Sequence, residues 1–532
     1  MMNNNMNNIE KIPQEKFEFV QLDARLTDKK LDTKARGFFA DAMLRFSKNK
    51  SSVIAAWILL FLIVYSIFAP IISPYSVRHE DDVYAKMPAY ISSIADLKWG
   101  ILDGAQTRTG MDEIDLQQMY AIEQELSRGW DDGEYQDYTG QVVLSIEETT
   151  KLKPNRGKFI EVPAWNFDVC TYKAVGVVYR SMTHDEFAKL QAWQDETGIQ
   201  VIYPAVDPSI TKDFSGLKSE AANVWYELEK DGKTPVVGED GLFVNGYCTK
   251  QELAGAEYNS LRVKGDDGSY IYSLSKSNGN ALEVRVSYYH YYQYINNGME
   301  PTYLMGTSTD GKDLFCAIGA GARFSLIFAV VVSVINMFIG AVYGAIQGYY
   351  GGWIDMLLDR ISDILSGVPF VVVTTLFQLH LAQKVGVLGS FLFAFVLTGW
   401  IGMGALVRKQ FYRFKSLEFV MAARTLGASD GRLMFKHIFP NALGTIVTSC
   451  ALIIPSTISS ETSMTYLGII NLRDYVGVTI GTLLSSGQAS MVNAVHAMFW
   501  PSLFFALLMI SFNLFGNGLR DAFNPSTRGA DD

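Results

Sequence analysis

The sequence predicts an all-α polytopic membrane protein of six spanning helices, with a separate α+β domain set between the first helix and the second. Three observations predict it. Six apolar runs are each about 20 residues long, the length a helix needs to cross a hydrocarbon core of about 30 Å. Charge is segregated: residues 75–313 hold 38 acidic and 22 basic residues in a chain of 532 residues whose net charge is only −10, so the flanks are basic. Within that acidic block the pattern changes to short alternating runs broken by Gly-Asp and Asp-Gly turns, the signature of a water-soluble fold. An acidic block of this kind argues against nucleic acid as a partner, because phosphate binding requires a basic surface.

Residues 1–51 read as a tail inside the cell. The opening MMNNNMNNIE is Asn-rich with too little apolar surface to fold by itself. FFADAMLRF, further on, places apolar residues at helical spacing; it fits an amphipathic segment on the inner membrane face, and equally a solvated helical lead-in. Residues 52–73 are the first span, SVIAAWILLFLIVYSIFAPII, which is uncharged and preceded by Arg45, Lys48 and Lys50. It starts too deep in the chain for a cleaved signal peptide and is expected to be a retained anchor.

Residues 74–304 form the expected outer domain. MDEIDLQQMYAIEQELSRG and THDEFAKLQAWQDE read as helices, the second opening on Thr183 as N-cap. KAVGVVYR and GIQVIYPAV read as strands, and so does LEVRVSYYHYYQYI, where Leu282, Val284, Val286, Tyr288, His290, Tyr292 and Tyr294 alternate with their neighbours. The tyrosines suit either a core or a binding surface. Of the four cysteines, Cys316 and Cys450 read as small apolar fillers; Cys170 and Cys248 are open to pairing, two buried thiols being the alternative. No Cys/His group has metal-ligand spacing.

Residues 305–518 hold the remaining spans, expected near Phe324–Gln347, Ile364–Gln383, Val385–Val407, Ala442–Ser460 and Ala497–Leu514. Gly340, Gly344 and Gly348 recur every four residues in the first of these, a small-residue face for close helix packing. Pro369, Pro455 and Pro501 should bend their helices. The loop 408–440 is rich in Lys and Arg, as are residues 25–50, and the tail 519–532 adds Arg520 and Arg528. Six spans with both termini inside put all this charge in the cytoplasm, as the positive-inside rule requires, and leave residues 74–320 outside.

One stretch imitates another chemistry. GTSTDGKD, residues 306–313, has Gly306, Gly311 and Lys312 of a phosphate-binding P-loop, but Asp313 stands where Ser or Thr would hold magnesium. It also lies outside on the topology above and opens no strand–helix unit, so a nucleotide site is not expected here. Nor does the outer block carry a nucleophile elbow, an H-E-x-x-H or a paired-Cys motif, which leaves a surface enzyme without its chemistry. A membrane-anchored receptor acting through that block is the remaining alternative. A secondary transporter would show inverted repeats and more ionisable residues at mid-membrane than are present.

LEFVMAARTLGASDGRLMFKHIFPNAL, in the loop between the fourth and fifth spans, reads as helix, break at Gly427, and second helix running to Pro440, with small residues at the turn. It resembles the coupling loop of ABC importer permeases of the oligopeptide/dipeptide (and nickel) family. Ala422, Ala423, Gly427 and Pro440 match; Met421 and Phe439 depart from the family's Glu and Leu. The resemblance continues in order through GYYGGWIDMLLDRISDILSGVPF, GWIGMGALVRKQ, SFNLFGNGLRDAFNPSTR and the first span, and GTSTDGKD matches the family's segment before the second span, with Asp313 kept. It does not extend to the outer domain. The resemblance implies a type I ABC importer permease fold. It implies a complex of this chain with a second permease subunit, two cytoplasmic ATPases that bind ATP and magnesium, and an external substrate-binding protein, with peptide as cargo and no cofactor on this chain. It further implies coupling to an ATPase through Ala422, Ala423, Arg424, Leu426, Gly427, Ala428, Ser429, Asp430 and Pro440, within residues 418–440, with Arg432 and Lys436 nearby. Gln378, His380, Glu461 and Asn513 are polar residues at membrane depth and candidates for the translocation pathway, Glu461 also matching a family Glu in ETSMTYLG; a structural hydrogen bond is the competing role for it.

Overall fold

The computed structural model describes residues 38–127, 140–203 and 281–523, with short pieces between 236 and 278. Among the described residues, five helices are long and apolar enough to cross a membrane: Lys50–Ile72, Leu314–Tyr350, Ala382–Phe414, Asp430–Tyr466 and Val495–Phe523. A sixth span exists only as a broken pair, Gly352–Ser366 and Phe370–His380, bent by 75°. The sequence places one span across that break, at Ile364–Gln383, and the structure corrects it. Gly367 and Pro369 are the reason: a residue before proline is driven from helical geometry, and Pro369 itself is extended, with ψ of 130°. The expected boundary before Val385 falls at a second break, where Gly386 takes φ of 80° inside Ala382–Gly399.

Leu314–Tyr350 is the spine. Its 37 residues give a length of about 55 Å, well beyond a hydrocarbon core. Asp313 caps it, its carboxylate accepting from Phe315 N and Cys316 N at 3.2 Å each. Gly340, Gly344 and Gly348 lie against Ile401–Phe414 and the residue before it. A Cβ on Gly340 would stand 2.7 Å from Trp400 O, one on Gly344 2.9 Å from Val407 Cβ, and one on Gly348 2.7 Å from Arg408 O. Small residues there let the backbones touch, which is how helices associate where no hydrophobic force separates lipid from protein. On another side Gly319 meets Ala69 of the first span. Leu59, Leu62, Ala322, Leu326, Ile458, Leu508 and Phe512 close the shared core of four membrane helices. The FFADAMLRF segment is helical, Phe38–Lys48, and Phe46 packs edge-on against Phe515 at 5.5 Å, tying it to the last membrane helix.

Two sheets of three or more strands build the described part of the α+β region, beside three two-stranded pairs. One is antiparallel in the order Ala105–Met111, Lys158–Cys170, Val143–Asn155. Helix Glu113–Ser127 packs on it through Leu116, Met119 and Ile122 against Phe167 and Val169. The other pairs Ala281–Ser287 with Val177–Met182 and Ile202–Tyr203. Helix His184–Thr197 covers it with Phe187 and Leu190. Thr183 caps that helix in a full capping box with Glu186.

The expected long strand from Leu282 is half right. It stops at Ser287, and Tyr288–Ile295 is a helix. YYHYYQYI is aromatic at nearly every position, so an alternating pattern and a helical one fit it equally; packing then decides. Tyr288, Tyr289 and Tyr292 are buried with Tyr75, Tyr84, Tyr90, Tyr172 and Tyr303 in one cluster. The tyrosines are therefore core. Tyr75 stacks on Tyr303 at 4.5 Å and its hydroxyl accepts from Tyr292 at 2.8 Å, so the cluster joins the exit of the first span to the approach of the second. Cys170 is a buried free thiol. Cys248, the DDGEY turn and most of the EDGLF and KGDDGSY turns lie outside the described residues, as do residues 1–37 and 524–532 of the two tails.

Candidate coupling surface and membrane pathway

Glu418–Thr425 is a short helix, Asp430–Arg432 a single turn, and between them the chain reverses at Gly427, whose φ of 81° only glycine adopts without strain. Leu433–Ile438 continues as a π-helical turn into Phe439–Tyr466. Inward-facing apolar residues hold this hairpin: Val420, Leu433 and Ile438 are wholly buried against Ala341, Ala345, Val407 and Phe411. What remains outside is the tip. Leu426 is 88% exposed, an unusual state for leucine in a well-packed loop. Ala422, Arg424, Gly427, Ser429, Asp430, Arg432, Lys436 and Pro440 are exposed too, while Ala423 and Ala428 are half-buried against the core. Leu426 and Gly427 thus stand at an exposed tip backed by apolar packing.

Polar bonds lock the hairpin to the spine helix. The Tyr349 hydroxyl donates to Asp430 Oδ1 at 2.5 Å and accepts from Arg424 at 3.2 Å, joining both arms of the hairpin to the spine's last turn. Lys415 Nζ donates to Gly348 O at 2.9 Å. Next to this, Arg408 donates to Asp355 Oδ2 at 2.7 Å and to Asp359 Oδ1 at 2.8 Å, and Tyr412 donates to the same Asp355 oxygen at 2.6 Å. Sequence reasoning missed Tyr349 and this Asp355–Arg408–Tyr412 group. A signal was present: Asp355/Asp359 and Arg408/Tyr412 are both pairs four apart, so each pair shares a helix face.

The four pathway candidates do not come together. Glu461 is fully buried within the chain, where Ser325 donates to it at 2.7 Å. Its Oε2 faces the spine helix there, while its Oε1 has no hydrogen-bond partner among the described residues. Gln378 is half-buried and bonded to Ser390. His380 and Asn513 are exposed, Asn513 donating to Met509 O of its own helix at 2.8 Å.

The segment 306–313 is a structural junction. Thr307 Oγ1 accepts from Met87 N at 2.8 Å, Lys312 pairs with Glu80 at 3.1 Å, and Ser73 donates to Asp313 at 2.7 Å. The helix N-terminus that a P-loop would offer to phosphate is filled by Asp313, so the near-motif leaves no room for an anion.

With that geometry in hand, the chain was compared with known proteins. Residues 338–529 match the model of the binding-protein-dependent transport system inner membrane component, and residues 37–89 match the N-terminal TM domain of oligopeptide transport permease C. The oligopeptide transport system permease protein OppC of Bacillus subtilis (strain 168) is 37% identical over 228 residues, 42% of this chain and 72% of that protein. The chain belongs to the oligopeptide/dipeptide ABC importer permease family. OppC of Escherichia coli (strain K12) is 35% identical over 43% of this chain and 74% of its own, and the dipeptide transport system permease protein DppC of Bacillus subtilis (strain 168) is 34% identical over 42% and 68%. Among solved structures, a chain of the inward-facing MetNI methionine ABC transporter aligns over 38% of this chain and 94% of its own, at 14% identity and a TM-score of 0.32. The first match takes in the helix that carries Asn513, the whole 418–440 hairpin and the Asp355–Arg408–Tyr412 group. The permease family's helical membrane fold accounts for the spans; the α+β region from about residue 90 to residue 303 lies outside both matched segments.

Proposed function

We propose that this chain forms half of the translocation pathway of an ATP-driven peptide importer and takes its motion from a cytoplasmic ATPase through residues 418–440. The observation that carries the reading is the hairpin itself, an exposed Leu426–Gly427 tip rigidly tied through Tyr349, Asp430 and Arg424 to the spine helix. A partner cleft that moves the tip moves the spine, and ATP binding biases two arrangements of the membrane helices. Peptide as cargo is supported by the names of the relatives at 34–37% identity. The partners are a second permease subunit, two ATPases that carry ATP and magnesium, and an external binding protein. Both termini and the hairpin lie in the cytoplasm and residues 74–320 outside, as the distribution of Lys and Arg supports.

Gly427→Asp tests it. No atom lies within 4 Å of a Cβ built there, so the fold pays only the left-handed backbone strain of about 1 kcal/mol. In the complete complex in proteoliposomes, the variant should insert and assemble normally yet lose ATP-dependent peptide uptake. A variant that still couples hydrolysis to uptake at the wild-type rate would remove the hairpin from the mechanism.

A further inference from the structure

The α+β region meets the membrane helices at one end of its three-stranded sheet. Thr307 N donates to Met87 O at 2.9 Å, and His496 Nε2, in the first turn of Val495–Phe523, lies 3.1 Å from Thr307 O. Ile91, four residues past Met87, donates its N–H to Leu102 O at 2.8 Å. Ala105, three residues past Leu102, shares the wall of a cavity of about 450 Å³ with Asn493, Val495 and Trp500. The loop 96–104 is thus pinned beside the end of a span, yet it turns large apolar side chains outward. Leu97, Trp99 and Ile101 are 53–68% exposed. The backbone builds that exposure in. Lys98 and Leu102 hold the costly left-handed conformation, with φ of 53° and 54°, while Leu97 N donates to Ile94 O and Gly104 N to Ala89 O, each at 3.0 Å.

The charges beside this loop cancel. Lys86 and Lys98 stand against Asp96 and Asp103, the last of which accepts from Ala105 N at 3.0 Å, so neither a cationic nor an anionic partner is selected. What the loop offers is apolar area, and that area continues into the membrane. Val492, just before the last helix, is 95% exposed, and Met491 beside it is exposed too. From there Val495, Phe499, Leu503, Leu507 and Ile510 follow every third or fourth residue down Val495–Phe523, all exposed. That spacing puts them on one face, the stripe a span turns to hydrocarbon. A tryptophan between two aliphatic residues, fringed by charge that reaches water, suits the membrane–water interface, where an indole sits at head-group level. We propose that residues 97–101 and 491–492 enter the bilayer interface on the α+β side of the membrane, anchoring the α+β region to lipid as well as to the spans. The partner is the lipid surface, whatever its head-group charge. The inference rests on the spans and not on what is transported.

The test places the full chain in phosphatidylcholine nanodiscs and spin-labels it at Trp99→Cys, Ile101→Cys or Val492→Cys, one at a time. The background lacks Cys248 and Cys450, and Cys170 and Cys316 are buried. All three labelled side chains are exposed, so their replacement leaves the packing intact, and three positions guard against the failure of one. Collision with oxygen, which enters lipid, is compared with collision with a water-soluble nickel chelate. Phe338→Cys, exposed on the spine, sets the lipid limit. Lys153→Cys, exposed near the far end of Val143–Asn155, sets the water limit. The labels at 99, 101 and 492 should collide with oxygen in preference to the chelate, at a depth of about 5–10 Å below the head groups. Labels as open to the chelate as Lys153→Cys overturn the proposal, because the loop then stands in water. Labels closed to both reagents overturn it as well, because protein, a second copy of the chain included, then covers the face.

Discussion

Replacing Arg408 by Ala should destabilise the membrane core by about 2–4 kcal/mol, a large share of the stability of any domain. The magnitude follows from what Arg408 touches. Asp355 is 8% exposed, and its Oδ2 receives both the Arg408 and Tyr412 bonds. Without Arg408 a nearly dry carboxylate keeps only neutral donors such as Tyr412 and Gln347, and an uncompensated buried charge is what makes the loss of one partner severe. The second bond, to Asp359, adds little, because that side chain is 47% exposed and water replaces it. Arg408→Lys should recover only part of the loss, since an ammonium cannot fork to two carboxylates. The same region supplies the control. Arg360 pairs with Asp363 at 3.2 Å, but the side chains are 76% and 59% exposed, so Arg360→Ala should cost less than about 0.5 kcal/mol. Equilibrium unfolding of the purified chain in mixed detergent micelles measures all three. Arg408→Ala within about 0.5 kcal/mol of wild type, or Arg360→Ala as costly as Arg408→Ala, would refute the claim that burial of Asp355 sets the energy.

Gly344→Ala should reverse the usual sign of a Gly→Ala change in a helix. Propensity favours Ala by about 1 kcal/mol, but here the methyl meets Val407 and the Gly404 backbone, so overpacking costs about 1–3 kcal/mol, whereas Gly402→Ala, which meets nothing within 4 Å, should be neutral or stabilising in the same unfolding measurement. The α+β region should lose stability in mild acid. Burial holds the His290 imidazole down at about 4, its Nδ1 lying 2.7 Å from Gln200 O. Between an unfolded value near 6.5 and that folded value the unfolded chain binds a proton the native one does not, so stability is flat above about pH 6.5 and falls as pH drops towards 4, by up to about 3 kcal/mol. Thermal unfolding of wild type and His290→Gln across that window checks it; an equal slope in both would assign the acid sensitivity elsewhere.

The membrane core was legible because its signals are long. A run of 20 uncharged residues admits one reading, and Gly340, Gly344 and Gly348 announce a close contact that the structure places on Trp400, Gly404 and Arg408. The third span is broken where a composition window cannot see backbone: Ile364–Gln383 carries no Asp, Glu, Lys or Arg, yet one helix ends at Ser366 and the next begins after Pro369. YYHYYQYI failed for the opposite reason, since its composition is too uniform to carry a period. Glu461 was visible as a charge at depth, but only the fold could say that Ser325 of another helix answers it. Tyr349 was invisible in its role because its partners, Arg424 and Asp430, lie 75 and 81 residues away.

That distance is also what makes the hairpin more than a loop. Val420, Leu433 and Ile438 would pack it against the core whatever its tip did, but apolar packing is non-directional and allows sliding. The Tyr349 hydroxyl, held by both arms at once, and the Lys415 bond to Gly348 O fix its register on the spine. Four residues upstream of Gly348 along that spine, Gly344 and then Gly340 seat it on Ile401–Phe414, the helix whose Arg408 holds Gly352–Ser366 through Asp355. Tip, spine and both neighbouring helices are therefore one polar-locked body at this end of the molecule. The other end of the same spine, where Ser325 bonds Glu461 and Gly319 meets Ala69, is packed against Phe439–Tyr466 and the first span. Under the proposed coupling, a displacement imposed at Leu426 passes directly into the spine, and the breaks at Pro369 and Gly386 fall in the helices beside it.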